Sequence, residues 1–420
     1  MLKPTPETLG EIVRIHELNP GGRLCLVPRE GRRCHAVLNV AFGALHEAGV
    51  QGGEPAGIAH FLEHRLFEKA AGDIGQRFTD VGADVDAQTG FTSTSYSVTS
   101  GTDTFAQALE LLFELAGQSH FPHQSVARER SIVGHEIQLF EDNVEWASFQ
   151  LLLDALYPGQ RIAVDIAGTP DSMLAIDGEM LRLCHSRHYR PAAMQLCVCG
   201  PLEQESLRDQ CNAALALWPQ GPAMTPAIDH APAHNTTLSA KMPLARPRRL
   251  LGFADRTPRR GLRLMRHELA LEMTLDILFG PRSEFFTRHY ESGLLDGDSF
   301  GGEVHMDEGY AFCMLGGDAD DPDGLQQAIL DELHEAATSD WIEQDFERAR
   351  RRAFGDMVCR WEDVEGTVGF IESACLRGCH PLEVTHLYGG SEAVNLDDVR
   401  SCLQQSLCPD LVAVASLGDH

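Results

Sequence analysis

Apolar residues along this chain recur in two rhythms. In Ala36–Phe42, Thr92–Thr99 and Met194–Val198 they gather in short runs bounded by polar or turn residues, which predicts β-strands. Between these runs lie long stretches with apolar residues three and four positions apart, which predicts amphipathic helices. Strands alternating with long helices indicate α+β layers rather than a bundle. One predicted helix is notable for how little polarity it carries. Ile58, Phe61, Leu62, Leu66 and Phe67 occupy most of it, and its polar side chains are confined to a single stripe. A second predicted helix runs from Ser125 to Asp142, with Glu129, Ile132, Val133 and Glu136 at helical spacing.

The pattern repeats itself. Gly101-Thr-Asp103-Thr-Phe105-Ala-Gln107-Ala108-Leu109 recurs as Gly317-Asp318 followed by Leu325-Gln-Gln327-Ala328-Ile329, and each copy leads through a helical run to Glu-Arg, at Glu129-Arg130 and Glu347-Arg348. Between the copies, from Trp218 to Met242-Pro, lies a polar stretch rich in Pro and Ala without helical periodicity, which reads as a linker. The expected division is an N-terminal domain over 1–218, a linker over 219–244 and a homologous C-terminal domain over 245–420. Each domain is expected to be a mixed or antiparallel sheet packed with helices. A chain of 420 residues, 43% hydrophobic, is long enough for two cores.

The polar stripe of the first helix carries the chemistry. It contains His60-Phe-Leu-Glu63-His64. Two imidazoles four residues apart stand one above the other on a helix face, and Glu63 borders them. This H-x-x-E-H order reverses the commoner H-E-x-x-H zinc signature and implies the same chemistry: His60 and His64 as Zn²⁺ ligands and Glu63 as the general base. A buried polar stripe needs a partner, and a metal is a good one. A zinc site needs a third protein ligand as well. Glu129 and Glu136 lie two turns apart on one side of their helix, so one carboxylate can reach the metal while the other supports it. His135 points about a hundred degrees away from Glu136 and is expected to take no part.

These residues resemble the pitrilysin/insulysin-type inverted-zinc-motif metallopeptidases, the group that includes mitochondrial processing peptidase. The resemblance extends from Gly57-Ile-Ala-His-Phe-Leu-Glu-His through Glu129 and Glu136 to His188-Tyr189-Arg-Pro191 with Gly200, and on to Gly280-Pro-Arg-Ser-Glu-Phe-Phe and Glu291-Ser-Gly293-Leu. It implies that His60, His64 and Glu136 ligate zinc, that Glu63 is the catalytic base and that Glu129 is the supporting catalytic carboxylate. It also implies two similar domains facing each other like a clamshell around a peptide. The segment Ala83, Asp84, Val85, Asp86, Ala87 resembles the strand that binds substrate backbone by β-addition; the family usually has Asn-Ala where this chain has Asp86-Ala87. Seven residues after Glu347 stands Phe354, and the second half lacks H-x-x-E-H, so it is expected to be metal-free. His-Phe-Leu-Glu-His-x-Leu-Phe-Glu-Lys is similar to a bacterial branch whose members process modified peptides or sit beside a partner subunit.

The resemblance further implies an arginine and a tyrosine seven residues apart in the second half, clamping the substrate carbonyl. Anchored on Gly293-Leu294 the corresponding positions are His289 and Asp296, and anchored on Arg288 the tyrosine position is Leu295. The expected function is therefore a zinc endopeptidase for short unstructured peptides or leader segments, the catalytic half of a heterodimer whose metal-free homologous partner supplies the Arg/Tyr pair. The alternative is a non-catalytic binding or assembly subunit of the same fold.

Charge narrows the partners. Thirty-four basic against 62 acidic residues give −28, with a pI near 5.0, which argues against nucleic acid and anionic membrane. Arg246–Arg266 is the exception, with eight arginines, and is expected to contact an acidic surface or the other half. The opening Met-Leu-Lys-Pro-Thr-Pro-Glu has no apolar signal region, no stretch reaches the length of a membrane span, and 12 cysteines accompany them. A cytoplasmic location with free thiols is the expectation. Cys197, Cys199, Cys375, Cys379 and His380 are expected to be structural rather than a second metal site.

Overall fold

The computed structural model describes residues 12–47, 54–222, 228, 233–338 and 343–418. The opening segment, residues 1–11, and much of the expected linker, 223–227 and 229–232, lie outside the described residues. The strands are β1 (Arg14–Glu17), β2 (Arg23–Pro28), β3 (Arg33–Val40), β4 (Glu68–Lys69), β5 (Gly72–Asp73), β6 (Asp84–Thr89), β7 (Thr94–Gly101), β8 (Met194–Gly200), β9 (Thr237–Lys241), β10 (Arg248–Ala254), β11 (Gly301–Asp307), β12 (Tyr310–Asp318) and β13 (Val412–Gly418). The helices of the first half are α1 (Ile58–Leu66), α2 (Ile74–Asp80), α3 (Phe105–Gly117), α4 (His123–Glu141), α5 (Val144–Leu156), α6 (Pro170–Ala175), α7 (Gly178–His188) and α8 (Gln204–Leu215). Those of the second half are α9 (Gly261–Phe279), α10 (Glu284–Glu291), α11 (Pro322–Thr338), α12 (Glu343–Arg360), α13 (Val364–Leu376), α14 (Pro381–Thr385) and α15 (Leu396–Gln405).

Two mixed sheets define two α+β halves, as the alternation of strands and helices predicts. The first has the order β1-β2-β8-β3-β7-β6 and the second β11-β12-β10-β13-β9. Each contains one parallel pair, β2 with β8 and β9 with β13, and all other neighbours are antiparallel. The second order, read backwards, is the first without β1, so the duplication glimpsed in the sequence is complete in the topology. Strand β9 lies inside 219–244, so part of the stretch expected to be linker is built into the second sheet.

The duplication also corrects a register. Phe105 aligns with Leu325, and the helix-capping residues Asn143 and Asp363 align too, each pair 220 apart (325 − 105 and 363 − 143). Applying 220 to the acidic pair sets Glu129 against Ala349 and Glu136 against Asp356, not against Glu347 and Phe354 as the Glu-Arg match suggested. The Glu-Arg dipeptides are thus two positions out of step; Glu347 binds Arg350, three residues along its own helix.

The central strands are buried on both faces, which explains their near-continuous apolar sequences. In β2, Leu24 and Leu26 face one core while Cys25 and Val27 face another. The first core lies between the first sheet and α1, α3 and their neighbours. The opposite face of that sheet, with Cys25, Val27, Val37, Cys197 and Cys199, joins the core of the second half and packs against Ile371, Ala374 and Cys375 of α13. Reciprocally, Leu152, Leu153 and Leu156 of α5 pack on Leu250, Ala413 and Ala415 of the second sheet. Each half therefore lends one helix to the other. Gly252 of β10 leaves the room α5 requires, since a Cβ there would sit 2.9 Å from the methyl groups of Leu152 and Leu156.

The arginine-rich segment serves mainly its own half. Arg248 reaches Glu145 of α5, in the other half, while Arg249, Arg259 and Arg266 pair with Asp323, Asp255 and Asp398 within the second half. Among the described residues, no helix is long and apolar enough to cross a membrane.

Candidate metal centre

Helix α1 begins where Gly57 turns the chain at φ 83°, in the left-handed region that favours glycine. A Cβ at Gly57 would also lie 2.4 Å from the carbonyl of Ala167. From there Ile58, Ala59, Phe61, Leu62 and Leu66 turn into the first core, which leaves His60 and His64 on the opposite face. The helix has no side-chain cap of its own. Instead Glu47, buried and ten residues upstream of Gly57, accepts the backbone N–H groups of Gly57 at 2.9 Å and Ala59 at 3.0 Å. Burial pushes the Glu47 carboxyl up to about 8, against the pull of these two hydrogen bonds.

Helix α4 crosses beside α1. Val126, Val133 and Ile137 anchor it in the core, and Glu129 and Glu136 flank that face toward the histidines. Ile132, expected on the same side, is exposed instead, as is His135. His60 Nε2 and His64 Nε2 approach to 3.2 Å. Glu136 completes a triangle, with Oε1 at 3.8 Å from His60 Nε2 and Oε2 at 3.4 Å from His64 Nε2. The edges of a tetrahedron with bonds of about 2.1 Å are roughly 3.4 Å, so these three donors fit the shell of a zinc ion. Two ring nitrogens that approach each other and converge on one carboxylate are poorly explained by a hydrogen bond between the histidines alone.

The surrounding charges differ around each group. Burial, with His64 nearby, pushes His60 down to about 4, which keeps its ring neutral as a ligand requires. At His64 burial acts the same way, but the Glu129 hydrogen bond and the neighbouring carboxylates prevail and raise it. Glu129 stands 3.3 Å from His64 Nδ1 and 3.0 Å from the Arg65 guanidinium. The bond to His64, with that from Arg65, holds its carboxyl below the usual range despite burial. Glu63 is buried beside the triangle. Burial raises its carboxyl, and a 2.8 Å hydrogen bond from the Thr89 hydroxyl to Oε2 works against that.

Thr89 closes strand β6, which pairs through Asp84↔Thr99, Val85↔Val98, Asp86↔Ser97 and Ala87↔Tyr96. Of the segment expected to bind substrate, Asp84, Val85, Asp86 and Ala87 lie in this strand, and Ala83 is the buried residue before it. Strand β6 ends the sheet, so one of its edges has no strand partner among the described residues. The Asp84 and Asp86 side chains are exposed, and Val85 and Ala87 pack on the core.

Among the described residues, two groups bring three metal-grade ligand atoms within 4.8 Å of one another, and both belong to the first half. One is His60, His64 and Glu136. The other is Glu54, Cys184 and His188, where Glu54 already binds Arg187 at 2.7 Å and His188 at 3.1 Å and needs no further partner. None of the described cysteines forms a disulfide, and Cys25, Cys197 and Cys375 meet in the shared core. Of the positions matching the expected carbonyl clamp, Arg288 and His289 lie on α10, Leu295 is buried and Asp296 binds Ser299.

Three contributors to the centre went unread in the sequence: Glu47, Arg65 and Thr89. Arg65 alone left a signal, a charged residue directly after the motif that falls outside the expected polar stripe of its helix.

Residues 27–170 match the family described as Insulinase (Peptidase family M16), and residues 175–353 match the Peptidase M16 inactive domain. The chain belongs to peptidase family M16, the insulinase/pitrilysin family. It is 28% identical to the zinc protease YmfH of Bacillus subtilis over 99% of both chains. An M16-like peptidase from Alicyclobacillus acidocaldarius superposes with a TM-score of 0.88 at 26% identity, covering 97% of this chain and 98% of the other. A peptidase M16 inactive domain from Pseudomonas fluorescens shares the fold, with a TM-score of 0.82 at 19% identity over 97% and 98%.

Proposed function

We propose that this chain is a zinc-dependent endopeptidase acting on short unstructured peptides or leader segments. The observation that carries the reading is the convergence of His60, His64 and Glu136 on one point, with Glu63 beside them and, joined to Glu63 through Thr89, strand β6, whose outer edge has no strand partner among the described residues. His60, His64 and Glu136 hold the metal, and Glu129 supports His64. Bound zinc supplies a Lewis acid that acidifies water and polarises the scissile carbonyl. Glu63 does the proton work. Thr89 occupies its Oε2, which leaves Oε1 to take the proton from water and pass it to the departing amine. The backbone of Asp84–Ala87 aligns the substrate as an added strand, with Ala83 setting the start of that edge.

The catalytic domain in this proposal is 1–218, and the half beyond the 219–244 stretch, 245–420, is its metal-free copy. With Arg288, His289, Leu295 and Asp296 at the clamp positions, a metal-free homologous subunit supplies the arginine and tyrosine in trans. A reducing cytoplasmic setting suits the free thiols. Replacement of Glu63 by Gln tests the reading: peptide cleavage by the chain with its partner should fall at least a hundredfold while one zinc per chain stays bound. Cleavage at the parental rate by Glu63→Gln would refute the assignment. The chain purified alone should bind zinc yet cleave slowly, and full activity without any partner would remove the heterodimer from the proposal.

A further inference from the structure

Arg65 is among the largest fully buried side chains in the protein, at 2% exposure. A guanidinium removed from water costs several kcal/mol unless charged partners surround it. One of the partners it has, Glu129, also contacts His64 of the metal centre. Its Nη1 donates to Glu129 Oε2 and to Glu68 Oε2, each at 3.0 Å, and its Nη2 donates to Ser125 Oγ at 3.0 Å. Glu129 and Ser125 belong to α4, whereas Arg65 sits on α1. Ser125 in turn donates to the carbonyl of Pro122 at the start of α4. One side chain thus ties together the two helices that carry the histidines and Glu136.

We infer that Arg65 is a positioning residue of this centre, acting through Glu129. With Oε2 of Glu129 committed to Arg65, Oε1 is left facing His64 Nδ1 at 3.3 Å. An ionised acceptor at Nδ1 selects the tautomer with its proton there, and so turns the Nε2 lone pair toward His60 and Glu136. The charges agree with this role. Glu68 has a second cation in Arg128, at 3.4 Å. Glu129, by contrast, has Arg65 as its guanidinium partner, so it is the carboxylate that depends on Arg65. Lysine could not replace the arrangement, because a single ammonium cannot span Glu129, Glu68 and Ser125 with the geometry of a planar fork.

This inference rests on His60, His64 and Glu136 being the zinc ligands, so its test reads zinc affinity rather than cleavage. The full-length chain and the variants Arg65→Met, Arg65→Lys, Glu129→Gln and Arg65→Met/Glu129→Gln are titrated with Zn²⁺ against a chromophoric chelator. Melting of each metal-free protein is recorded in parallel. Arg65→Met and Glu129→Gln should each weaken zinc binding about 10- to 100-fold, as loss of supporting groups around a metal does. The double variant should lose no more than the worse single one, since both act along one path. Arg65→Lys should recover only part of the affinity. A purely structural arginine would lower the melting temperature and leave the zinc affinity of the folded protein within twofold. That result, or losses that multiply in the double variant, would overturn the inference. If Arg65→Met fails to fold, the same cycle is run with Arg65→Lys. Glu136→Gln serves as the control: undiminished zinc binding in that variant refutes the ligand assignment itself, a failure distinct from that of Arg65.

Discussion

Glu47 offers a sharp test of how the motif helix is held. In Glu47→Ala the carboxylate that accepts the N–H groups of Gly57 and Ala59 is gone, and both donors lie where water has little access. A buried polar group left unpaired costs about 1–3 kcal/mol, and loss of a helix cap about 1 kcal/mol in typical cases. Relief from burying an acidic group offsets part of this, because burial already pushes Glu47 up to about 8. The net local cost is about 3 kcal/mol, which is roughly a hundredfold in an opening equilibrium. Hydrogen exchange followed by mass spectrometry on peptides spanning 57–66 measures that equilibrium directly. Exchange there should accelerate about a hundredfold, while peptides from β10 and β13 in the second sheet keep their rates. Glu47→Gln, which retains one acceptor oxygen, should fall between. Unchanged exchange in Glu47→Ala would refute the capping argument, and uniform acceleration across both sheets would show that the loss is global.

Other expectations follow from the same geometry. Burial pushes His185, which hydrogen-bonds the Ala116 carbonyl, down to about 4 from an unfolded value near 6.5. Between those values the unfolded chain takes up a proton that the native one refuses, so stability is lost as pH falls through that window, by at most about 3 kcal/mol from this group. Denaturant melts of His185→Gln at pH 7 and pH 5 should differ less than those of the parent, and an unchanged difference would exclude His185 as a contributor. Gly252→Ala brings a methyl against Leu152 and Leu156 of the exchanged helix and should cost about 1–3 kcal/mol by melting, with no change in zinc affinity. Dialysis against a strong chelator should abolish peptide cleavage and stoichiometric Zn²⁺ restore it; activity that survives removal of the last zinc would refute a metal-dependent reaction.

The parts of the centre that follow a local rhythm were legible before the structure. The stripe on α1 and the paired glutamates on α4 announce themselves by helical spacing, and β6 by its place before a strand of alternating residues. What could not be read depends on distance. Glu47 caps α1 from a preceding turn, and no local pattern marks a carboxylate that serves a helix ten residues away. Arg65 was visible as an anomaly, but its partners on α4 are set by tertiary contact. The Glu-Arg match misplaced the repeat by two positions because two adjacent residue types are a weak register, whereas the cap pair Asn143 and Asp363 encodes a helix start. Helices α5 and α13 carry sequences apolar enough to predict burial. Which sheet each would cover is beyond their pattern, since an apolar face is indifferent to the origin of the surface it meets.

That exchange bears on how the protein is made. A chain emerging from the ribosome completes the first sheet once β8 is synthesised, yet the helix that covers one face of it, α13, follows more than 160 residues later (364 − 200 = 164). Until then Cys25, Val27, Cys197 and Cys199 present an uncovered apolar surface, and α5 waits in turn for the strands of the second sheet. The nascent first half therefore keeps one face of its sheet without its native cover until the second half is made. Cutting the gene between the halves would give two fragments, each holding a helix that belongs to the other; they should regain solubility only when produced together.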